Sequence, residues 1–279
     1  MTSKIGYLGP EGTFSQQAAI HQLESLPSDS SCLRAYPTIA LLLSAVDSED
    51  VQYGVVPAEN SIEGSVNITL DMLANELNLY IHKEIVLGIK HHLLTYAPTL
   101  NKIHTVMSHP HALAQCRLFL QKKLPHANLV DTNSTSEAVL KVSSKSIGTA
   151  AIASKNCHLV YQVPILAENI GDFSHNQTRF WVVGKQPSLL EKTLKTSLVL
   201  SMEKDRPGSL YNTLGEFAKH NINLTRIESR PAKKELGNYI FFIDCEAGQD
   251  NPGLKQVLDT LCKKTSFLKI LGSYNISHY

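Results

Sequence analysis

From Lys4 to about Gly184, short apolar runs alternate with amphipathic stretches, and this alternation limits the chain to few folds. KIGYLGP precedes a helical pattern running from Thr13 to Leu26, and ALLLSAV precedes the strand-like VQYGVVP. Strands separated by helical crossovers build a largely parallel sheet, so the spacing predicts α/β architecture. After SVNITLDMLANEL, the stretch LYIHKEIVLGIKHHLLTY is too continuous for one ordinary strand and is expected to cross from one lobe to another. A second α/β set follows: HTVMSHP, a helix from His111 to Leu124, strand NLVDT, a helix from Ser134 to Lys145, strand SIGTAAIA, a helix to Tyr161, and strand VPILAENI. The chain then returns through GDFSHNQTRFWVVG, which predicts two lobes with a cleft between them.

Near KQPSLLEKTLK (185–195) the pattern loosens into a charged linker, which separates a body over 1–184 from a second domain over 196–279. There TSLVLSM reads as a strand, and Leu210, Leu214, Phe217 and Ala218 share a helix face. NINLTRIESRP and NYIFFIDCE read as a hairpin, Leu254, Val257, Leu258 and Leu261 mark a second helix, and FLKILGSYN closes as a strand. That order is the βαββαβ arrangement of ferredoxin-like domains.

The chain of 279 residues has a formal net charge of +1 with both signs scattered, so no basic stripe suggests nucleic acid or membrane as a partner. Its five cysteines form no CxxC pair, which fits a reducing compartment and argues against a disulfide framework or a zinc knuckle. The first residues carry no apolar signal segment, so cytoplasm is the expected location, and the sequons at Asn67, Asn133, Asn176 and Asn223 read as chance matches.

Four stretches place polar groups where a strand gives way to a helix, the side on which open α/β sheets bind ligands. GYLGPEGTFS sets Thr13 and Ser15 at a helix start, an arrangement that suits a tight turn or an anion site and lacks both the P-loop and the dinucleotide spacing. VPAENSIEGSV presents Glu59, Asn60 and Ser61 just past a buried-looking strand, where Asn and Ser also form turns. SHPHALAQC offers Ser108, then Gln115 one helical turn on; its His109 and His111 have no third ligand, so no metal is expected. NSTSEAV reads as a capping box around Ser134 or Thr135 and Glu137. Donors without a nucleophilic cysteine or a Ser-His-Asp order suit the holding of an anion more than covalent catalysis.

GPEGTFS, VPAENSIEG, SHPHALAQC, the STS segment with AAIAS, and NQTRF, followed by DRPGSLY and IESRP, together resemble the prephenate dehydratase family with its regulatory ACT domain. The resemblance runs from Lys4 to the last strand. It implies a two-lobed catalytic body similar in outline to periplasmic binding proteins, and loss of CO2 and water from prephenate to give phenylpyruvate, without cofactor or metal. It further implies Thr178 as the catalytic threonine and Asn60, Ser61, Ser108, Gln115, Thr13 and Ser134 at the substrate. Arg179 is expected either to meet a substrate carboxylate or to brace the strand from outside, and the polar groups at 176 to 179 are expected on the cleft floor, with Phe180 anchoring them in the sheet. In PGSL and ESRP, Gly208, Ser209, Leu210, Glu228 and Ser229 match the phenylalanine-binding segments of a homodimer or homotetramer. His111, Ser136 and Ser209 depart from the family's usual Gln, Ala and Ala, and no helical domain precedes Lys4, so the expectation is a monofunctional enzyme. Arogenate dehydratase and a non-catalytic ligand sensor are the competing readings.

Overall fold

The computed structural model describes residues 4–25, 32–142, 147–188, 190, 192–202, 206–232 and 239–279. The helix ends expected at Leu26 and Lys145, linker residues 189 and 191, Asp205 and the hairpin turn at 233–238 lie outside the described residues. The chain falls into two compact units, one taking residues up to Thr69 with Val86–Phe180 and Tyr279, the other Leu70–Ile85 with Trp181–His278.

The first unit opens with β1 (Lys4–Leu8), α1 (Phe14–Glu24), β2 (Cys32–Tyr36), α2 (Ile39–Asp47) and β3 (Tyr53–Asn60). β1 pairs in parallel with both β2 and β3. Gly6 is required on β1 because a Cβ there would collide with Leu42 of α2. The short β4 (Gly64–Ser65) turns back on β3, and α3 (Asn67–Asp71) with a π-helical turn (Met72–Glu76) leads to β5 (Tyr80–Gly88). The long apolar stretch therefore breaks at Gly88, and its second half starts another sheet.

That sheet contains β6 (His92–Thr95), β7 (Thr105–Ser108), β8 (Asn128–Asp131), β9 (Thr149–Ala153) and β10 (Ile165–Ala167), in the order β10-β6-β9-β7-β8. β7 is parallel to β8 and β9, whereas β6 runs antiparallel to β9 and β10. α4 (Pro110–Gln115), α5 (Arg117–Lys123), α6 (Thr135–Val142) and α7 (Lys155–Tyr161) cover it. Val106, Ile152 and Leu120 form one apolar cluster, and Leu94, Ala151, Val139 and Cys157 another. The single helix expected from His111 to Leu124 is two helices. Asp172 makes the break: its N–H donates to Gln115 O at 2.7 Å, and its carboxylate accepts the Leu118 N–H at 3.1 Å and so caps α5. β11 (Gln177–Gly184) then returns beside β3.

The second unit holds β12 (Lys195–Met202), α8 (Ser209–Lys219), β13 (Leu224–Pro231), β14 (Tyr239–Cys245), α9 (Pro252–Lys264) and β15 (Thr265–His278), the expected βαββαβ order. The sheet order is β13-β14-β12-β15, with antiparallel pairs throughout. Leu198, Leu200 and Ile243 meet Phe217 of α8 and Leu254, Val257 and Leu261 of α9. β12 takes in Lys195, which the sequence placed in the linker. Its buried ammonium donates to both oxygens of Glu84, at 3.0 and 3.2 Å. Among the described residues no helix is long and apolar enough to cross a membrane.

Candidate active site

Within the first unit, a cleft of about 470 Å³ lies where both sheets end their strands and begin their helices. Thr13 and Ser15 at the start of α1, Asn60 from β3, Glu63 to Val66, His91, His109 ahead of α4 and Gln115 at its end, Ser134 and Thr135 at the start of α6, and Thr178 of β11 line it. None of these lining residues is Lys, Arg or Cys. The nearby Cys116 is buried and its thiol is pushed up to about 12 by desolvation, so it carries no thiolate at neutral pH.

Local rules explain how the helix starts are held. Thr13 caps α1, its hydroxyl accepting the Gln16 N–H at 3.2 Å while the Gln16 side chain takes the Gly12 N–H at 2.6 Å. Ser134 does the same for α6, accepting the Glu137 N–H at 3.0 Å as Glu137 accepts the Asn133 N–H at 3.0 Å. Two capped helix N-termini thus open on the cleft and present N–H groups and positive potential to an anion.

The orientation of Asn60 follows from the main chain. Its Oδ1 accepts the N–H groups of Ile62 and Glu63, both at 3.0 Å, so its Nδ2 faces Asn176 Oδ1 at 2.8 Å and Thr178 Oγ1 at 2.9 Å. Thr178 Oγ1 therefore accepts from Asn60, and its own proton is available to a group in the cleft. Gln115 accepts from Asn176 Nδ2 at 2.8 Å and donates to Glu63 Oε1 at 2.9 Å. His91 Nε2 lies 3.0 Å from the same Gln115 oxygen, and burial holds this ring's pKa below the ordinary 6.5.

Thr13, Asn60, Gln115, Ser134 and Thr178 are thus brought together, while four expected residues are not. Arg179 extends from the face of β11 opposite Thr178, is not among the residues that line the cleft, and meets Glu59 at 3.5 Å. Ser108 is fully buried and donates to Ile152 O at 2.6 Å. Ser61 ties down the start of β11, accepting the Gln177 N–H at 3.0 Å, and Phe180 is packed in the core. Glu63 and His91 were not expected among the site residues, and Asn176 was expected only as part of the polar run on the cleft floor, with no role of its own. Glu63 and Asn176 stood inside the quoted segments, but His91 carried no local signal.

In the second unit, Gly208 has φ +86° and immediately precedes α8, with Ser209 and Leu210 in its first turn. Glu228 and Ser229 alternate on β13, so their side chains take opposite faces. Glu228 pairs with Arg226 and, at 3.5 Å, with Arg230, which grips Asp71 through Nε and Nη2 at 3.0 and 2.8 Å. Ser229 is exposed opposite Phe241.

A two-sheet α/β body with a donor-lined cleft, joined to a βαββαβ domain, defines a small-molecule enzyme class with an appended regulatory-type module. The family model for prephenate dehydratase matches residues 5–188, and that for the ACT domain matches residues 196–263. The chain belongs to the prephenate dehydratase family, whose members are lyases. It is 42% identical over 282 residues to the prephenate dehydratase of Methanocaldococcus jannaschii, covering 99% of each chain. It is 41% identical over 271 residues to the bifunctional chorismate mutase/prephenate dehydratase of Aquifex aeolicus, covering 97% of this chain and 73% of that one. Among solved structures, prephenate dehydratase from Arthrobacter aurescens in complex with L-Phe superposes with a TM-score of 0.87 at 32% identity, covering 98% of this chain and 90% of that one.

Proposed function

We propose that the cleft converts prephenate to phenylpyruvate, CO2 and water, and that phenylalanine acts through the second domain. The carrying observation is Thr178, buried in the cleft wall, whose oxygen accepts from Asn60 and whose hydroxyl can therefore donate to a group in the cleft. The bond from the ring to its carboxylate breaks to release CO2. The electron pair of that bond aromatises the ring and expels the C4 hydroxyl, which takes one proton to leave as water. Thr178 hydrogen-bonds the departing oxygen as a donor; a hydroxyl at its ordinary acidity delivers no proton unless it is replaced in the same step. With neither Lys nor Arg in the lining, the substrate carboxylates fall to the N–H groups and hydroxyls at the starts of α1 and α6, Thr13 and Ser134 among them.

The boundaries that serve this reading are a catalytic body over 1–184, a linker over 185–195 and an ACT domain over 196–279, assembled as a dimer or tetramer in the cytoplasm. The L-Phe complex of the Arthrobacter aurescens relative supports phenylalanine as effector. Gly208, Ser209, Leu210, Glu228 and Ser229 are its candidate contacts. Thr178→Ala should lower kcat roughly 100- to 1000-fold, about 3 to 4 kcal/mol, with the fold intact. The measurement is phenylpyruvate formation against an enzyme-free control. A folded variant with wild-type turnover rules out Thr178. Wild type that turns over arogenate in place of prephenate moves the assignment to arogenate dehydratase, and prephenate binding without turnover moves it to a sensor.

A further inference from the structure

The hydrogen bonds around Thr178 form a circuit with one direction. At one end are two main-chain donors, the N–H groups of Ile62 and Glu63, which can only be met by Asn60 Oδ1. At the other end is the Glu63 carboxylate, which when ionised can only accept, and which takes Gln115 Nε2 at 2.9 Å on one oxygen and has His111 Nδ1 3.7 Å from the other. Between them Asn60 gives to Asn176 at 2.8 Å and Asn176 gives to Gln115 at 2.8 Å. Turning any one of these amides over would set donor against donor or acceptor against acceptor in a site where Gln115 and Asn176 are both buried. Gln115 Oε1 also faces His91 Nε2 at 3.0 Å, so that nitrogen carries the proton. His91 Nδ1 is buried with no partner, which suits a bare lone pair and not a second N–H.

We propose that Glu63 and Asn176 are positioning residues for the dehydration: together they lock Gln115 and Asn60 in single orientations, so that Thr178 meets the substrate as a donor and His91 stays in its Nε2–H form. This rests on the reading of the cleft as the prephenate site.

Asn176→Asp tests it. A protonated carboxyl at this position offers the same single donor and single acceptor as Asn. An ionised one sets an oxygen against Gln115 Oε1, and Gln115 cannot turn over because Glu63 would then face the amide oxygen. The variant should therefore lose about 100-fold in kcat at pH values where the introduced carboxyl is ionised, and regain activity as pH falls through that group's pKa, a transition absent from wild type. In the double variant Asn176→Asp/Glu63→Gln, residue 63 can donate and Gln115 can turn once the His91 proton moves to Nδ1, so kcat at high pH should recover in part over the single variant. A pH profile parallel to wild type, or a double variant no better than the single, overturns the proposal.

A second measurement needs no variant at the lock and no substrate. Nitrogen-15 NMR of the histidine rings, with His91 assigned by its loss in His91→Gln, should show the neutral Nε2–H form at pH 7.5. The Nδ1–H form or an imidazolium there overturns the circuit. Absence of wild-type turnover overturns the assigned reaction, and with it the catalytic purpose of the circuit. The tautomer still reports whether the lock exists, so the two failures read differently.

Discussion

His82, His91, His92 and His109 share one property: burial favours the neutral ring, so each has a pKa below the ordinary 6.5. In the unfolded chain these rings take up protons as pH falls past about 6.5, while in the folded chain they resist until lower pH. The unfolded state then binds more protons, and stability drops as pH falls from about 6.5 toward the folded-state values. Glu137 and Glu216, lowered by hydrogen bonds to lysines, lose their contribution only below their ordinary 4.5, outside that window. Urea unfolding should therefore give a lower midpoint at pH 5.5 than at pH 7.5 with the slope unchanged, and His91→Gln should remove part of the difference. A midpoint that does not move would contradict the burial of these rings. The site was only partly legible at this scale. Thr178 and Arg179 are adjacent on a strand, so alternation turns them to opposite faces, and the sequence left both a carboxylate contact and an outer brace of the strand open for Arg179. His91 was not legible, because its role comes from Gln115, 24 residues away in sequence and on another element.

Local chemistry fixes the elements wherever partners lie within one turn. Ser134 with Glu137 closes the capping box that the sequence shows directly, and Thr13 caps α1 as its place at a helix start suggests, with Gln16 adding a bond to the Gly12 N–H. Elements shaped by distant partners escape such a reading. The break between α4 and α5 needs Asp172, and the inclusion of Lys195 in β12 needs Glu84, 111 residues away. A lysine in the charged stretch EKTLK reads as solvent-facing until its carboxylate is known. The capping role separates from any substrate role at Ser134. Ser134→Ala should cost about 1 kcal/mol of stability and Ser134→Gly only a few tenths, since glycine is nearly as good an N-cap. If the hydroxyl also holds substrate, the two variants should raise KM alike. Equal melting temperatures for the Ala and Gly variants would mean that Ser134 does not hold the helix start.

Both units contribute to one chain path through β11, which carries Thr178 in the first and Trp181 in the second. Trp181 Nε1 donates to Glu84 at 3.3 Å, and Glu84 is held by Lys195, so the strand that bears Thr178 is anchored at its other end within a buried ionic cluster. The order of elements made the whole-molecule architecture legible, because alternating βα units and a βαββαβ tail leave few topologies; the exchange of residues 70–85 into the second unit has no such signature. If phenylalanine regulates by changing prephenate affinity, linkage requires the reverse effect with the same factor, roughly 5- to 150-fold for ordinary couplings of about 1 to 3 kcal/mol. Thr178→Ala makes this measurable at equilibrium, since it should hold prephenate while turning it over slowly. Calorimetric titration of that variant with phenylalanine, alone and saturated with prephenate, should give dissociation constants differing by the factor by which phenylalanine shifts prephenate binding. Phenylalanine alone at about 100 times its dissociation constant should add about 2.7 kcal/mol of stability. Glu228→Ala should weaken both effects together, because its carboxylate joins Arg226 and Arg230 on the segment that would meet the ligand. Identical phenylalanine affinities with and without prephenate would leave a domain that binds an amino acid without informing the cleft, and would reduce its function to assembly.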